Sequence, residues 1–147
     1  MKDYHINKNT LALFPLGKKK TIIYENHDCY IVDKKIAKVM DENCRFNGSS
    51  LEGRSKGTQN IVGTNYKAPI IVSEDELIIF FPTCSPRLKD CAWINLENID
   101  NIAKIEDRCC IKFNNDESLE VDTSYRSINN QFLKSLSLKN SFKKRKK

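Results

Sequence analysis

Apolar residues along this chain come in short runs divided by polar turns, the pattern of a strand-rich fold. Thr10–Phe14 and Thr21–Tyr24 are rich in apolar and β-branched residues. A polar turn, Glu25-Asn-His-Asp28, then leads into Cys29–Val32 and predicts a hairpin. Ala68–Val72 and Leu77–Phe81 form a second predicted hairpin across Ser73-Glu-Asp-Glu76. Both of its runs are continuous rather than alternating, as expected of strands covered on two faces. Cys91–Leu96, with the single tryptophan Trp93, comes next, followed by Ile102–Ile105, Cys109–Phe113 and Ser118–Val121. Asn114-Asn-Asp-Glu117 has the composition of a turn between the last two. One amphipathic helix follows. Thr123 or Ser124 caps it, and Ile128, Phe132 and Leu136 recur every fourth residue with Leu133 beside them. The expectation is an α+β, mainly β class: antiparallel hairpins or a meander with one C-terminal amphipathic helix. A single domain spans 1–138, and 139–147, which lacks an apolar stripe, is expected to be a frayed or disordered basic tail.

Length and composition narrow the function. The chain has 147 residues and a formal net charge of +6. The charge is unevenly placed: +1 over 1–33, +4 over 34–72, −7 over 73–122 and +8 over 123–147. Two basic blocks around an acidic one suggest a polyanionic partner. The longest apolar runs are five residues, against the roughly 20 that cross a bilayer, so no membrane association is expected. Leu11–Leu16 is too short, and interrupted by Pro15, to serve as a secretory signal core, and the expected location is the cytoplasm. The six cysteines contain no C-x-x-C pair and read as small apolar side chains in a reducing compartment. No metal, cofactor or acid–base constellation stands out, and an enzyme is not expected.

Residues 43–67 do not look like core. They hold four of the five glycines, Gly48, Gly53, Gly57 and Gly63, with Arg45, Arg54, Lys56 and Lys67 opposed only by Glu52. Ser49, Ser50, Ser55, Thr58 and Thr64 add hydroxyl donors. Such a stretch suits a surface that tracks phosphates, and it equally suits an ordinary long polar loop. Gly48-Ser-Ser-Leu-Glu-Gly-Arg-Ser55 imitates a nucleotide-binding phosphate loop. It lacks the buried strand before it and the apolar helix after it that such a loop requires.

Within this stretch, Cys44-Arg45-Phe46-x-Gly48-Ser49-Ser50 running into Gly53-Arg54-x-x-Gly57-Thr58 resembles the signature of the bacterial competence transcription factor ComK family. Three further pieces follow in that family's order: Lys67-x-Pro69-Ile70-x-Val72, Phe81-Pro82-Thr83 with Ser85, and Cys91-x-Trp93-Ile94. A weaker match runs through Ser124-Tyr125 to Asn130-Gln131, so that the resemblance covers about residues 20–133. It implies a cytoplasmic activator of genes for DNA uptake and recombination. Such a protein reads A/T-rich boxes in double-stranded DNA, mainly from the minor groove, as a homodimer and as higher assemblies on promoters. It also implies delivery to a protease by an adaptor. This chain carries a lysine-rich end where the family's longer segment for adaptor recognition and self-association would lie, which leaves adaptor control and oligomeric state open.

The residues themselves suggest roles. A narrow A/T-rich minor groove attracts arginine, which makes Arg54, between Gly53 and Gly57, the first candidate for insertion and Arg45 the second. Lys56 and Lys67 are expected on phosphates, with Ser49, Ser50 and Thr58 donating to backbone oxygens. Phe46 could serve as an apolar wedge between base steps. Lys143, Lys144, Arg145, Lys146 and Lys147 are expected to add non-specific affinity, or to form a solvated end. The acidic segment 73–122 should face away from DNA, toward a second subunit or RNA polymerase. The alternative is a small β-rich interaction module or regulator without specific DNA binding, with the acidic sheet as its working surface.

Overall fold

The computed structural model describes residues 3–63 and 67–145. Nine strands and three helices follow one another along it. They are β1 (Thr10–Leu16), β2 (Lys20–Glu25), β3 (Asp28–Val32), α1 (Ile36–Phe46), α2 (Leu51–Val62), β4 (Ile70–Ser73), β5 (Ile78–Pro82), β6 (Trp93–Asn95), β7 (Ile99–Ile105), β8 (Arg108–Phe113), β9 (Ser118–Val121) and α3 (Tyr125–Arg145). A single 3₁₀ turn, Leu96–Asn98, joins β6 to β7. All nine expected strands are present, and the mainly β, α+β class with antiparallel pairing holds.

The strands form a six-stranded sheet in the order β3-β2-β1-β6-β5-β4 and a three-stranded meander β7-β8-β9. The large sheet is buried on both faces because β5 is apolar at every position and the central strands β1 and β6 are apolar at all but Thr10 and Asn95. In β5, Ile78 and Phe80 point to one face, where they meet Leu13, Ile23, Trp93 and the α1 residues Val39, Met40 and Cys44. Phe81 points to the other face and packs with Leu11, Ile94, the meander residues Cys109, Ile111 and Phe113, and Ile128 of α3. Ile79 joins Ile71 and Leu96 beneath Leu138 of α3. Removing a side chain as large as Phe80 or Phe81 from such a site costs about 3–5 kcal/mol. Trp93 is thus a core residue, and the alternation of Cys109 and Cys110 leaves the first buried and the second half-buried.

Two expectations fail here. The segment 43–67, for which an ordinary long polar loop is one of two readings, lies mostly in two helices, α1 and α2, where the single helix expected is the C-terminal one. Ile36, Val39, Met40 and Cys44 lay a helical stripe on the sheet, and Leu51, Thr58, Ile61 and Val62 seat α2. The second is the tail. The helix α3 does not fray at Leu138 but continues to Arg145, because Leu138 is buried and Phe142 packs beside it against α2 and the sheet. Lys146 and Lys147 lie outside the described residues.

Polar side chains fix how these layers meet. Buried Asn43 on α1 accepts from the Ile6 amide at 2.8 Å and donates to the Tyr4 carbonyl at 3.0 Å, strapping the N-terminal segment to the helix. Gln131 on α3 donates to the carbonyls of Lys67 and Pro82, both at 2.8 Å, and so ties the start of β4 to the end of β5.

Candidate nucleic-acid interface

The signature stretch folds as helix, tight turn, helix. At the end of α1 the Gly48 amide bonds to the Arg45 carbonyl at 3.0 Å and the Ser49 amide to the Cys44 carbonyl at 3.0 Å, with Gly48 at φ 87°. This paired closure requires a left-handed residue, which glycine supplies without strain. Ser50 then caps α2, its Oγ accepting the Gly53 amide at 3.0 Å. A side chain at Gly53 would press on the hydroxyls of Ser49 and Ser50 at 3.1 Å. Gly63, also left-handed, ends α2.

Asp41 locks the two helices together. Its Oδ2 accepts from Arg45 Nε at 2.7 Å, and its Oδ1 accepts the amide of Leu51, the first residue of α2, at 2.9 Å. The Arg45 hydrogen bond, and after it the Leu51 amide, hold the Asp41 carboxyl below the usual carboxylate range. Arg45 remains 67% exposed and commits only its Nε to that pair.

Arg54 is placed differently from Arg45. Its side chain is 13% exposed, its Nη1 meets Glu74 Oε1 at 2.5 Å, and its Nη2 donates to the Asn47 carbonyl at 3.3 Å. Its Nε is buried without a partner. Arg54 thus clamps the α1–α2 turn to the β4–β5 turn, and the acidic segment expected to face away supplies the carboxylate. A cavity of about 230 Å³ lies alongside, lined by Gly53, Gly57, Thr58, Ile71, Glu74 and Phe142 among others.

The remaining expected contacts are distributed as follows. Among the described residues Phe46 is the most exposed large apolar side chain, at 73%, and its ring lies 4.9 Å from that of His5. Ser49 and Ser50 are half-buried at the turn, with Ser50 engaged as the cap. Lys56 projects into solvent and pairs with Glu52 at 3.0 Å. Thr58 is buried and faces only the cavity beside Arg54. Lys67 is half-buried, with a left-handed backbone, at the far end of the large sheet from Arg45. Lys143 and Lys144 are exposed on the last turns of α3, which also includes Arg145. The structure therefore gathers Arg45, Phe46, Ser49, Ser50 and Arg54 around one turn, brings Phe142 of α3 to the cavity beside Arg54, leaves Lys56 facing solvent on α2, and sets Lys67 at the other end of the sheet.

Burial raises the thiol of Cys44, under this turn, to about 11. Cys91 is pushed up to about 12 and Cys109 to about 11 for the same first reason. These thiols behave as core atoms.

The family model described as ComK protein matches residues 1–147. The chain belongs to the ComK family. It is also 32% identical over 149 residues to a Bacillus subtilis (strain 168) protein named competence transcription factor, a match covering 99% of this chain and 78% of that protein. No solved structure matches significantly. Among the described residues, no helix is long and apolar enough to cross a membrane. Family membership extends the resemblance from residues 20–133 to the whole chain, including the N-terminal strap held by Asn43 and the C-terminal turns of α3.

Proposed function

We propose that the protein is a DNA-binding transcription regulator that activates competence genes from the cytoplasm, reading A/T-rich boxes mainly through the minor groove. The observation that carries this reading is the match over the whole chain to the ComK family, with the similarity to the competence transcription factor of B. subtilis.

Exposure decides which residues of the signature read the groove. Arg45, with its terminal nitrogens uncommitted, enters the groove. Phe46 beside it is the wedge that widens a base step. Such a pair suits the minor groove, whose base edges are degenerate and whose width and negative potential are the readable features. Ser49 donates to a flanking phosphate, Lys56 lies on the phosphates beyond it, and Arg54 acts by positioning the turn. The protein acts as a homodimer or higher assembly on paired boxes, and the exposed carboxylates of the meander face RNA polymerase.

The test is a salt series on A/T-rich and G/C-rich duplexes with the full chain, in the presence and absence of a minor-groove ligand. Preference for A/T, displacement by the ligand and a salt slope of several units are expected. Absence of binding at low salt overturns the reading. Arg45→Ala and Phe46→Ala should each weaken A/T-box binding by about 1–3 kcal/mol and relax the preference.

A further inference from the structure

The charges of the large sheet separate along the strand direction. Pairing of Leu13 with Trp93, of Pro82 with Trp93, of Leu16 with Lys20 and of Thr21 with Val32 brings five features to one end. These are the β1–β2 turn, the exit of β3, the β5–β6 loop, the start of β4 and the first turn of α1. At this end lie Lys18, Lys19 and Lys20 on the β1–β2 turn, with Arg87 and Lys89 on the β5–β6 loop. All five are exposed, and a cavity of about 280 Å³ lined by Pro15, Gly17, Lys18, Lys89 and Asp90 shows that turn and loop meet. None of the five is in an ion pair with a described residue. On the large sheet's loops here the carboxylates are Asp33 and Asp90, and the nearby carboxylates of Asp3 and Glu42 are both taken by Lys34 at the exit of β3.

On the sheet's own turns the other end carries Glu25, Asp28, Glu74, Asp75, Glu76 and Glu97, with Lys8 before β1 and Lys139 and Lys143 of α3 set around Glu76 and Glu97. Several of these are internally engaged: Glu25 by the Tyr4 hydroxyl, Glu74 by Arg54 and Glu97 by Lys139. The signature turn with Arg45 and Arg54 lies at this acidic end, and the arginines and Lys56 there are paired with carboxylates. The paired cations of that turn must give up a carboxylate before they can supply the phosphate contacts that dominate protein–DNA affinity. Exposed lysines without an ion-pair partner are better equipped, since they have no internal carboxylate to give up.

We propose that the basic end of the large sheet, formed by Lys18, Lys19, Lys20, Arg87 and Lys89, grips the phosphate backbone of duplex DNA. The proposal rests on the DNA-binding reading above. It divides the labour: this end supplies affinity without sequence, while Arg45 and Phe46 supply preference. A second copy docking its acidic end here is the competing occupant. The engagement of Glu25, Glu74 and Glu97 within their own chain argues for DNA instead.

The experiment compares the full chain with Lys18→Gln/Lys19→Gln/Lys20→Gln, with Arg87→Gln/Lys89→Gln, and with Lys104→Gln on the meander as control. Duplex affinity is measured over a salt series for A/T-rich and mixed-sequence DNA, alongside thermal melts and sedimentation. Each phosphate contact contributes about 0.9 to the salt slope, so the triple variant should lose about 2–3 units and roughly a hundredfold in affinity near physiological salt. The loss should be the same for both duplexes, with the melt unchanged, and the double variant should lose about 2 units. The control should leave the slope intact. An unchanged slope in the triple and double variants overturns this proposal while wild-type binding leaves the DNA-binding reading standing. An unchanged slope with a shift to smaller species in sedimentation assigns the end to a second copy, and also overturns it. Failure of the wild-type chain to bind either duplex at low salt removes both.

Discussion

Replacing Arg54 by alanine separates a residue that builds the signature turn from one that reads DNA. Its guanidinium meets Glu74 at 2.5 Å, while Glu74 itself is 49% exposed. Breaking a fully buried pair costs about 3–5 kcal/mol because a charge is stranded. Here the carboxylate left behind is half in water, so the electrostatic loss is nearer the 1 kcal/mol of a surface pair. The buried methylene stem adds about 2 kcal/mol of packing. Freeing an arginine that folding had ordered returns about 1–2 kcal/mol. Arg54→Ala should therefore destabilise the protein by about 1–2 kcal/mol and lower Tm by about 5 °C for a chain of this length. A double-mutant cycle with Glu74→Gln should give a coupling of about 1 kcal/mol.

The binding arm makes the distinction. On the proposed reading Arg54 acts on DNA only through the turn, so its loss should leave the salt slope unchanged and reduce affinity by no more than a few fold at a temperature where the variant is folded. A groove or phosphate contact would instead remove about one unit of slope. An Arg54→Ala protein with unaltered Tm and a slope lower by one unit would refute the positioning argument and restore Arg54 as the inserted residue.

Asp41→Ala removes both the Arg45 pair and the acceptor for the Leu51 amide, and should cost about 1–2 kcal/mol at neutral pH by urea unfolding. The Asp41 carboxyl sits below its usual range in the folded protein. Its contribution is therefore complete above the unfolded value near 4 and fades as pH falls through the folded one, so variant and wild type should converge in acid; a difference as large in acid as at neutrality refutes the assignment. Gly48 has φ 87° with open space around its missing Cβ, so Gly48→Ala should lose about 1–2 kcal/mol from backbone strain alone, and an unchanged melt would count against the paired closure of α1. Lys143→Gln/Lys144→Gln should lower affinity alike for A/T-rich and mixed duplexes and reduce the slope by up to about 2 units; a loss confined to A/T-rich DNA contradicts a non-specific role.

The strands were legible because their signal is local. Runs such as Ile78–Phe81 are short, apolar at every position and bounded by turns, which leaves a doubly covered strand as the simplest solution. The two helices at 36–62 were legible too, but in signals that glycine content masked. Ile36, Val39, Met40 and Cys44 have helical spacing, Ser50 is a capping residue, and Gly48 and Gly63 stand where left-handed ends belong. Gly53 and Gly57 inside α2 each cost about 1 kcal/mol relative to alanine, so local propensity argues for a loop. Packing of Leu51, Thr58, Ile61 and Val62 overrides it. The position of Arg54 was not legible. Its carboxylate lies twenty residues away on the β4–β5 turn, and only the tertiary fold brings the two together.

The same distinction between order along the chain and arrangement in space governs the electrostatics. In sequence, the acidic block 73–122 separates two basic blocks, which suggests a basic signature stretch set apart from an acidic sheet. In the fold, the segment 73–76 returns to the signature turn and neutralises Arg54, while Lys18–Lys20 and Lys89, far apart in sequence, converge at the opposite end. A cation held by its own protein must trade one partner for another to bind phosphate, whereas an unpaired cation only releases counterions from the DNA. The clustering of basic residues in sequence is thus a poor guide to where a polyanion lies. The better guide is where the cations that the fold leaves without a carboxylate converge, as they do where the β1–β2 turn meets the β5–β6 loop.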